Sequence, residues 1–186
     1  MSLKDKIQKA KGLPERLKTA NMLAWPRLEA VVINIGLGRA VTASAKPDEV
    51  IKKVSAEIAA ITGQRPVATV AKKAIASFKT RQGMAIGLKT TLHGQRMYDF
   101  LEKFINVALP RTRDFRGLKA SSVDDHGNLN VGIKDHTIFP ESSADAAHSF
   151  GLEFTAVVKG SDRNKSLEFF KILGFPFEKR ASKNHV

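Results

Sequence analysis

The chain has 186 residues, 31 Lys and Arg against 18 Asp and Glu, a net charge of +13, and no cysteine. The missing thiols exclude a disulfide scaffold, a cysteine nucleophile and a thiolate metal site, and a hydrophobic content of 42% excludes wholesale disorder at this length. Charge is unevenly spread: residues 1–64 carry a net +5, residues 65–119 a net +9 and residues 120–186 a net −1, and so concentrated a field points to a polyanion, nucleic acid ahead of an anionic membrane.

The segment 3–23 has Leu3, Ile7 and Ala10 at helical spacing and is broken by Gly12 and Pro14; it reads as a helical arm over 1–25. It has no signal-peptide core, and no run in the chain approaches the ~20 apolar residues of a membrane span, so the cytoplasm is the expected location. Leu28 to Ile35 is β-branched and apolar, bounded by Pro26 and Gly36, and predicts a buried strand. Gly36-Leu37-Gly38 invites a dinucleotide-binding reading, but Val41 occupies the third glycine position and the next clear helix start is Pro47. A turn that lets backbone approach a partner is the better expectation.

Pro47 with Asp48 and Glu49 opens a helix that carries Val50, Val54, Ile58 and Ile61 inward and stops at Gly63. Strands are expected over Gln64–Ala71 and Met84–His93. In the second, Ile86, Leu88, Thr90 and Leu92 share one face, and Gly87, Lys89 and Thr91 the other. A helix from Gln95 to Ala108 presents Met97, Phe100, Leu101, Phe104 and Ile105 and ends before Pro110. Residues 111–127 read as a long loop. Strands follow at Leu129–Ile133 and Leu152–Val158. A last helix, Asp162–Leu173, turns Leu167, Phe170 and Leu173 inward and is ended by Gly174 and Pro176.

Mixed strands and helices with long loops predict an α+β fold, a sheet with helices packed on one face. The open face would then carry Lys89 and Thr91, or Thr90 if the faces are exchanged, and would make a polar, partly basic platform for RNA. Two loops add cations. Lys72 to Gly83 holds Lys72, Lys73, Lys79 and Arg81 without an acid, together with Ser77, Gln82 and an awkwardly placed Phe78. Cations meet phosphates, and a ring stacks on a base. The bland alternative is a solvated hairpin with Phe78 tucked into the core. Arg111, Arg113 and Arg116 follow Pro110, with Asp114 among them; guanidinium groups suit bidentate phosphate contact, unless Asp114 and Phe115 merely organise the loop. The five histidines lack metal-ligand spacing, and Asp124-Asp125-His126-Gly127 is a turn signature. No phosphate-binding loop, nucleophile motif or acid–base pair is present, so no catalytic residue, metal or cofactor is expected.

Several blocks together resemble a known family. They are PRLEAVVINIGLGRAV from Pro26, ITGQRPVATVAKKAIASFKTRQGMAIGLKTTLHG from Ile61, RMYDFLEKFINVALPRTRDFRG from Arg96, GNLNVGIKDHTIFPE from Gly127, and the GFPF turn at Gly174. The chain resembles the bacterial large-subunit ribosomal proteins that bind 5S ribosomal RNA, the universal fifth family of that subunit, over about three quarters of its length.

The resemblance implies a single domain over 1–186 with a curved antiparallel sheet and a long basic hairpin loop, while the basic tail over 179–186 departs from the usual pattern. It implies a 5S rRNA-binding face including Asn34, Gln64 and Thr90, beside the Lys89 and Thr91 of the strand pattern. It implies that Lys72, Lys73, Ser77, Phe78, Lys79, Arg81 and Gln82 reach toward P-site tRNA. The loops near Arg111, Arg113, Arg116 and Pro140–Ser149 would meet further RNA or a small-subunit head protein at an intersubunit bridge. Other implied partners are 23S rRNA and neighbouring proteins of the central protuberance, on the ribosome and away from membranes. Residues 142–151 (SSADAAHSFG) depart from the acidic segment usual there.

Overall fold

The computed structural model describes residues 25–44, 46–142, 149–160 and 162–178. The helical arm expected over 1–25, Trp25 apart, the basic tail over 179–186 and most of segment 142–151 lie outside the described residues.

The apolar run after Pro26 forms β1 (Arg27–Gly36), the central strand of a five-stranded sheet. The others are β2 (Val67–Val70), β3 (Ala85–Leu92), β4 (Leu129–Ile133) and β5 (Leu152–Lys159). Their order is β2-β3-β1-β5-β4, and every neighbouring pair is antiparallel. Register decides the faces, because side chains alternate along a strand. Val31, Ile33 and Ile35 stand opposite Leu92, Thr90 and Leu88 of β3. Val31 and Ile33 also face Ala156 and Phe154 of β5, which in turn pair with Leu129 and Val131 of β4. All ten are buried.

Among the described residues, four helices cover that face and share one apolar core with it. After β1 comes α1 (Gly38–Ala43), then α2 (Pro47–Thr62), which begins with Pro47 and two acids at its positive end and stops where Gly63 adopts φ 69°. α2 buries Val54, Ile58 and Ile61. α3 (Gly94–Lys103) continues through a π-helical turn, Phe104–Ala108, into a last turn, Leu109–Arg111. α4 (Arg163–Leu173) ends at Gly174, φ 99°. At the centre Phe154 meets Phe104 edge-on at 4.6 Å and Phe100 edge-on at 5.6 Å. Such pairs contribute about 0.5–1.5 kcal/mol beyond their burial.

Several local expectations need correction. A helix does open at once after the Gly-Leu-Gly turn, at Gly38, and Leu37 and Val41 are buried beneath it. β2 is shorter than expected: Pro66 removes a backbone donor, and Gln64 lies in the turn before the strand. Pro110 does not stop the third helix, which runs on to Arg111 because proline is tolerated in a first turn and the π-helical turn restarts the hydrogen-bond ladder just before it. In α4, Phe169 is the buried neighbour of Phe170, and Leu167 is only half-buried.

Candidate nucleic-acid interface

The other face of the sheet, which no helix covers among the described residues, is laid out by the same register. One row across it runs Val67, Lys89, Asn34, Glu153 and Gly132. The next runs Thr91, Val32, Thr155 and Asn130. Asn34, Lys89 and Glu153 are exposed. Thr155 donates its hydroxyl to Asn130 Oδ1 at 2.7 Å. Lys89 and Glu153 flank Asn34 with opposite charge, so the platform is polar and close to neutral rather than basic. This face presents hydrogen-bonding amides and hydroxyls beside the opposed charges of Lys89 and Glu153, and amides and hydroxyls are groups that can hydrogen-bond ribose and base edges.

Thr90 is a correction. It is 2% exposed and lies on the helix-covered face opposite Ile33. Asn34 and Thr90 occupy opposite sides of the sheet, because Asn34 pairs with Lys89 and a one-residue step reverses the face. Lys89 and Thr91 therefore stand with Asn34, and Thr90 does not. Gln64 sits at the rim. Its Nε2 donates to the Thr91 carbonyl at 3.0 Å, and Arg96 Nη1 approaches its Oε1 at 3.5 Å. The polar end of Gln64 is thus tied to the end of β3 rather than spread over the face.

The hairpin between β2 and β3 is closed at its base by Ala71 N–H to the Met84 carbonyl at 2.8 Å and Gly83 N–H to the Ala71 carbonyl at 3.0 Å. Ile75 and Thr80 exchange backbone hydrogen bonds at 3.2 Å around a short turn, with Lys79 in the left-handed region at φ 52°. Lys72, Lys73, Ser77, Phe78, Lys79, Arg81 and Gln82 are all exposed. The bland alternative for Phe78 fails, since the ring is 69% exposed. No acidic residue stands between Glu57 and Asp99 in the chain.

The third element is the loop after α3. Arg111, Arg113 and Arg116 are exposed, and among the described residues no ion pair joins Asp114 to them. The loop is pinned by the GFPF turn: Leu118 N–H donates to the Pro176 carbonyl at 2.7 Å, and Glu178 N–H donates back to the Leu118 carbonyl at 2.9 Å. Gly117, at φ 118°, is required there, because a Cβ would lie 2.7 Å from Glu178 N. Arg111 and Arg113 border a cleft of about 620 Å³ beside edge strand β4, which Lys134 and Asp135 also line. Hydrogen bonds to Asp135, first from the Thr137 backbone N–H and then from the Thr137 and Ser149 side chains, hold its carboxyl below the usual carboxylate range against a smaller opposing effect of burial.

The expected turn at Asp124–Gly127 is present. Burial pushes the Asp124 carboxyl up, but the Asn128 backbone and side-chain amides at 2.8 and 3.0 Å, aided by the His126 backbone and its ring charge, bring it below its ordinary value. Asn128 Oδ1 then accepts from Val158 N–H at 3.2 Å, which fixes the start of β4 against β5.

Three cations escaped the sequence reading. Arg39 follows the Gly-Leu-Gly turn and faces the hairpin across a cleft. Arg65 and Arg96 are exposed, and Arg96 lies beside Gln64 at the rim. Each stands in one of the resembling blocks, Arg39 in the one from Pro26, Arg65 in the one from Ile61 and Arg96 at the head of a third, which was the available signal. Among the described residues no group of three or more His, Asp or Glu could hold a metal ion, and no helix is long and apolar enough to cross a membrane.

Two family models match consecutive parts of the chain. One, described as ribosomal protein L5, covers residues 21–81, and the other, described as the C-terminus of the same ribosomal protein family, covers residues 85–177. Similar curated proteins include the large ribosomal subunit protein uL5 of Halothermothrix orenii, 46% identical over 89% of this chain and 90% of that one. The protein of the same description from Symbiobacterium thermophilum is 46% identical over 96% and 99%, and that from Carboxydothermus hydrogenoformans is 43% identical over 95% and 98%.

Proposed function

This chain belongs to the ribosomal protein L5 family of the large ribosomal subunit, a family of structural proteins and not of enzymes, and from that premise we propose that the helix-free sheet face is its 5S rRNA-binding surface. Through that face the protein attaches 5S rRNA to 23S rRNA and the neighbouring proteins of the central protuberance. The observation that carries the reading is the pair of neighbouring rows that hold Asn34 and Thr91, a largely polar surface with charges that nearly cancel. A face of that kind selects a structured RNA by hydrogen bonding, while affinity comes from cations around it.

Two loops carry further cations and have separate tasks. The 72–83 hairpin contacts P-site tRNA, with Lys72, Lys73, Lys79 and Arg81 on phosphates. The arginines at 111, 113 and 116, with the adjoining cleft beside β4, meet further RNA or a small-subunit head protein across the intersubunit bridge. Binding is passive: it neutralises phosphates and releases counterions.

The test separates the surfaces. Asn34→Ala is expected to weaken 5S rRNA binding by about tenfold, the scale of one lost base-edge contact, with tRNA retention by the assembled particle unchanged. Lys72→Ala with Lys73→Ala is expected to do the reverse, and to lower the salt slope of the tRNA contact by about 0.7–0.9 per phosphate contact removed. Filter binding to purified 5S rRNA and to an unrelated RNA of equal length reads the first, and tRNA retention by particles assembled with each variant reads the second. Equal loss from both variant sets, or no preference for 5S rRNA, overturns the assignment.

A further inference from the structure

The basic hairpin does not stand clear of the fold. Between it and α1 lies a cleft of about 570 Å³, inside the ~300–1,000 Å³ range of small-ligand sites. Its walls include Ile75, Phe78 and Ile86, and Arg39, Lys72 and Lys73 also line it. Phe78 is 69% exposed and Ile75 46% exposed, although apolar side chains of this size are normally covered. Among the described residues no acidic one lines the cleft. An apolar wall with a ring on one side and three cations around it matches an object that is flat and uncharged in the middle and anionic at both ends.

We propose that this cleft receives one unpaired nucleobase of an RNA, stacked on Phe78, with the phosphates on either side of it held by Arg39, Lys72 and Lys73. The proposal rests on the reading of the hairpin as an RNA contact and names what enters. Paired bases keep their faces inside the duplex, so only a loop, bulge or end can be taken. Bare phosphate gains nothing from Phe78 and Ile86, and a cationic or purely apolar peptide gains nothing from the three cations. Stacking on an aromatic ring is tolerant of base identity, so the cleft adds affinity for single-stranded RNA rather than a sequence code. Arg39 acquires a role here, as the cation that α1 contributes opposite the hairpin.

The experiment uses the full chain with two RNAs of equal length, a stem–loop carrying one 2-aminopurine in its loop and a fully paired duplex. The stem–loop should bind more tightly, and its 2-aminopurine emission should be quenched on binding. Phe78→Ala should remove the quenching and lower stem–loop affinity by about tenfold, with duplex affinity and melting temperature unchanged, since the ring is exposed. Phe78→Tyr should behave as the native chain. Gly38→Leu should repeat the Phe78→Ala loss with Phe78 in place, because Gly38 lines the cleft and a Cβ there meets nothing within 4 Å. Lys72→Ala with Lys73→Ala should weaken both RNAs together.

If the two RNAs bind equally and emission does not change while the double lysine variant weakens both, the base-accepting cleft is wrong and the hairpin remains a phosphate contact. If the double lysine variant weakens neither, the reading of the hairpin itself falls, and the cleft with it. Competition by an acidic, aromatic peptide in place of the RNA loop would assign the cleft to a protein and overturn the proposal.

Discussion

Replacing Thr90 by Val tests whether the register has placed the RNA face on the correct side of the sheet. Thr90 is 2% exposed, between Leu88 and Leu92 on the core face, and its hydroxyl has no hydrogen-bond partner among the described residues. A buried hydroxyl without a partner costs about 1–3 kcal/mol. Valine keeps the β-branch and nearly the outline, and a methyl suits contact with Ile33 across the strand pair. A gain near the lower end, about 1 kcal/mol, would raise the melting temperature by about 2–4 °C in a chain of this size. Thermal and urea unfolding followed by circular dichroism measure it. Affinity for 5S rRNA, read by filter binding, should not change. Thr91→Val, one residue on and across the sheet, should do the opposite: stability within ~0.5 kcal/mol of the native chain and weaker RNA binding. If Thr90→Val lowers 5S rRNA affinity, or unfolds the protein more easily, the assignment of faces is wrong.

Two further predictions concern the scaffold. Gly87→Ala should destabilise by about 1–3 kcal/mol in urea titrations, because the new Cβ would lie 2.7 Å from the Ile35 carbonyl oxygen and 2.9 Å from Thr69 Oγ1; Gly132→Ala, with nothing within 4 Å, is the control and should change little. Asp124→Asn should lose stability at pH 6 but converge with the native chain in acid. The folded carboxyl lies below its ordinary value of 3.8, so its contribution is full above that value and fades as pH falls through the depressed folded one. Unfolding free energies measured from about pH 6 down to about pH 2.5 check the convergence.

The sequence alone determined the α+β class, all five strands, three of the four helices, the charge asymmetry and the family. Each rests on local signals: β-branched runs between Pro26 and Gly36, the Pro47 start and Gly63 stop of α2, and the acid-free stretch around the hairpin. The helix α1 was not legible, because six residues behind a Gly-Leu-Gly turn are too few for periodicity to declare itself.

Only the tertiary structure decided which side of the sheet is open and what it carries. Alternation along β3 separates Thr90 from Thr91 without saying which is covered. That choice belongs to Ile33, Leu92 and Phe154, which are buried in one core with Phe100 and Phe104. Glu153 reaches the row of Asn34 and Lys89 through pairing across more than a hundred residues of chain, so the near-neutrality of the platform could not be read from net charge. The same holds for Arg39 beside the hairpin. Local patterns specify elements, whereas long-range burial brings their side chains onto one surface.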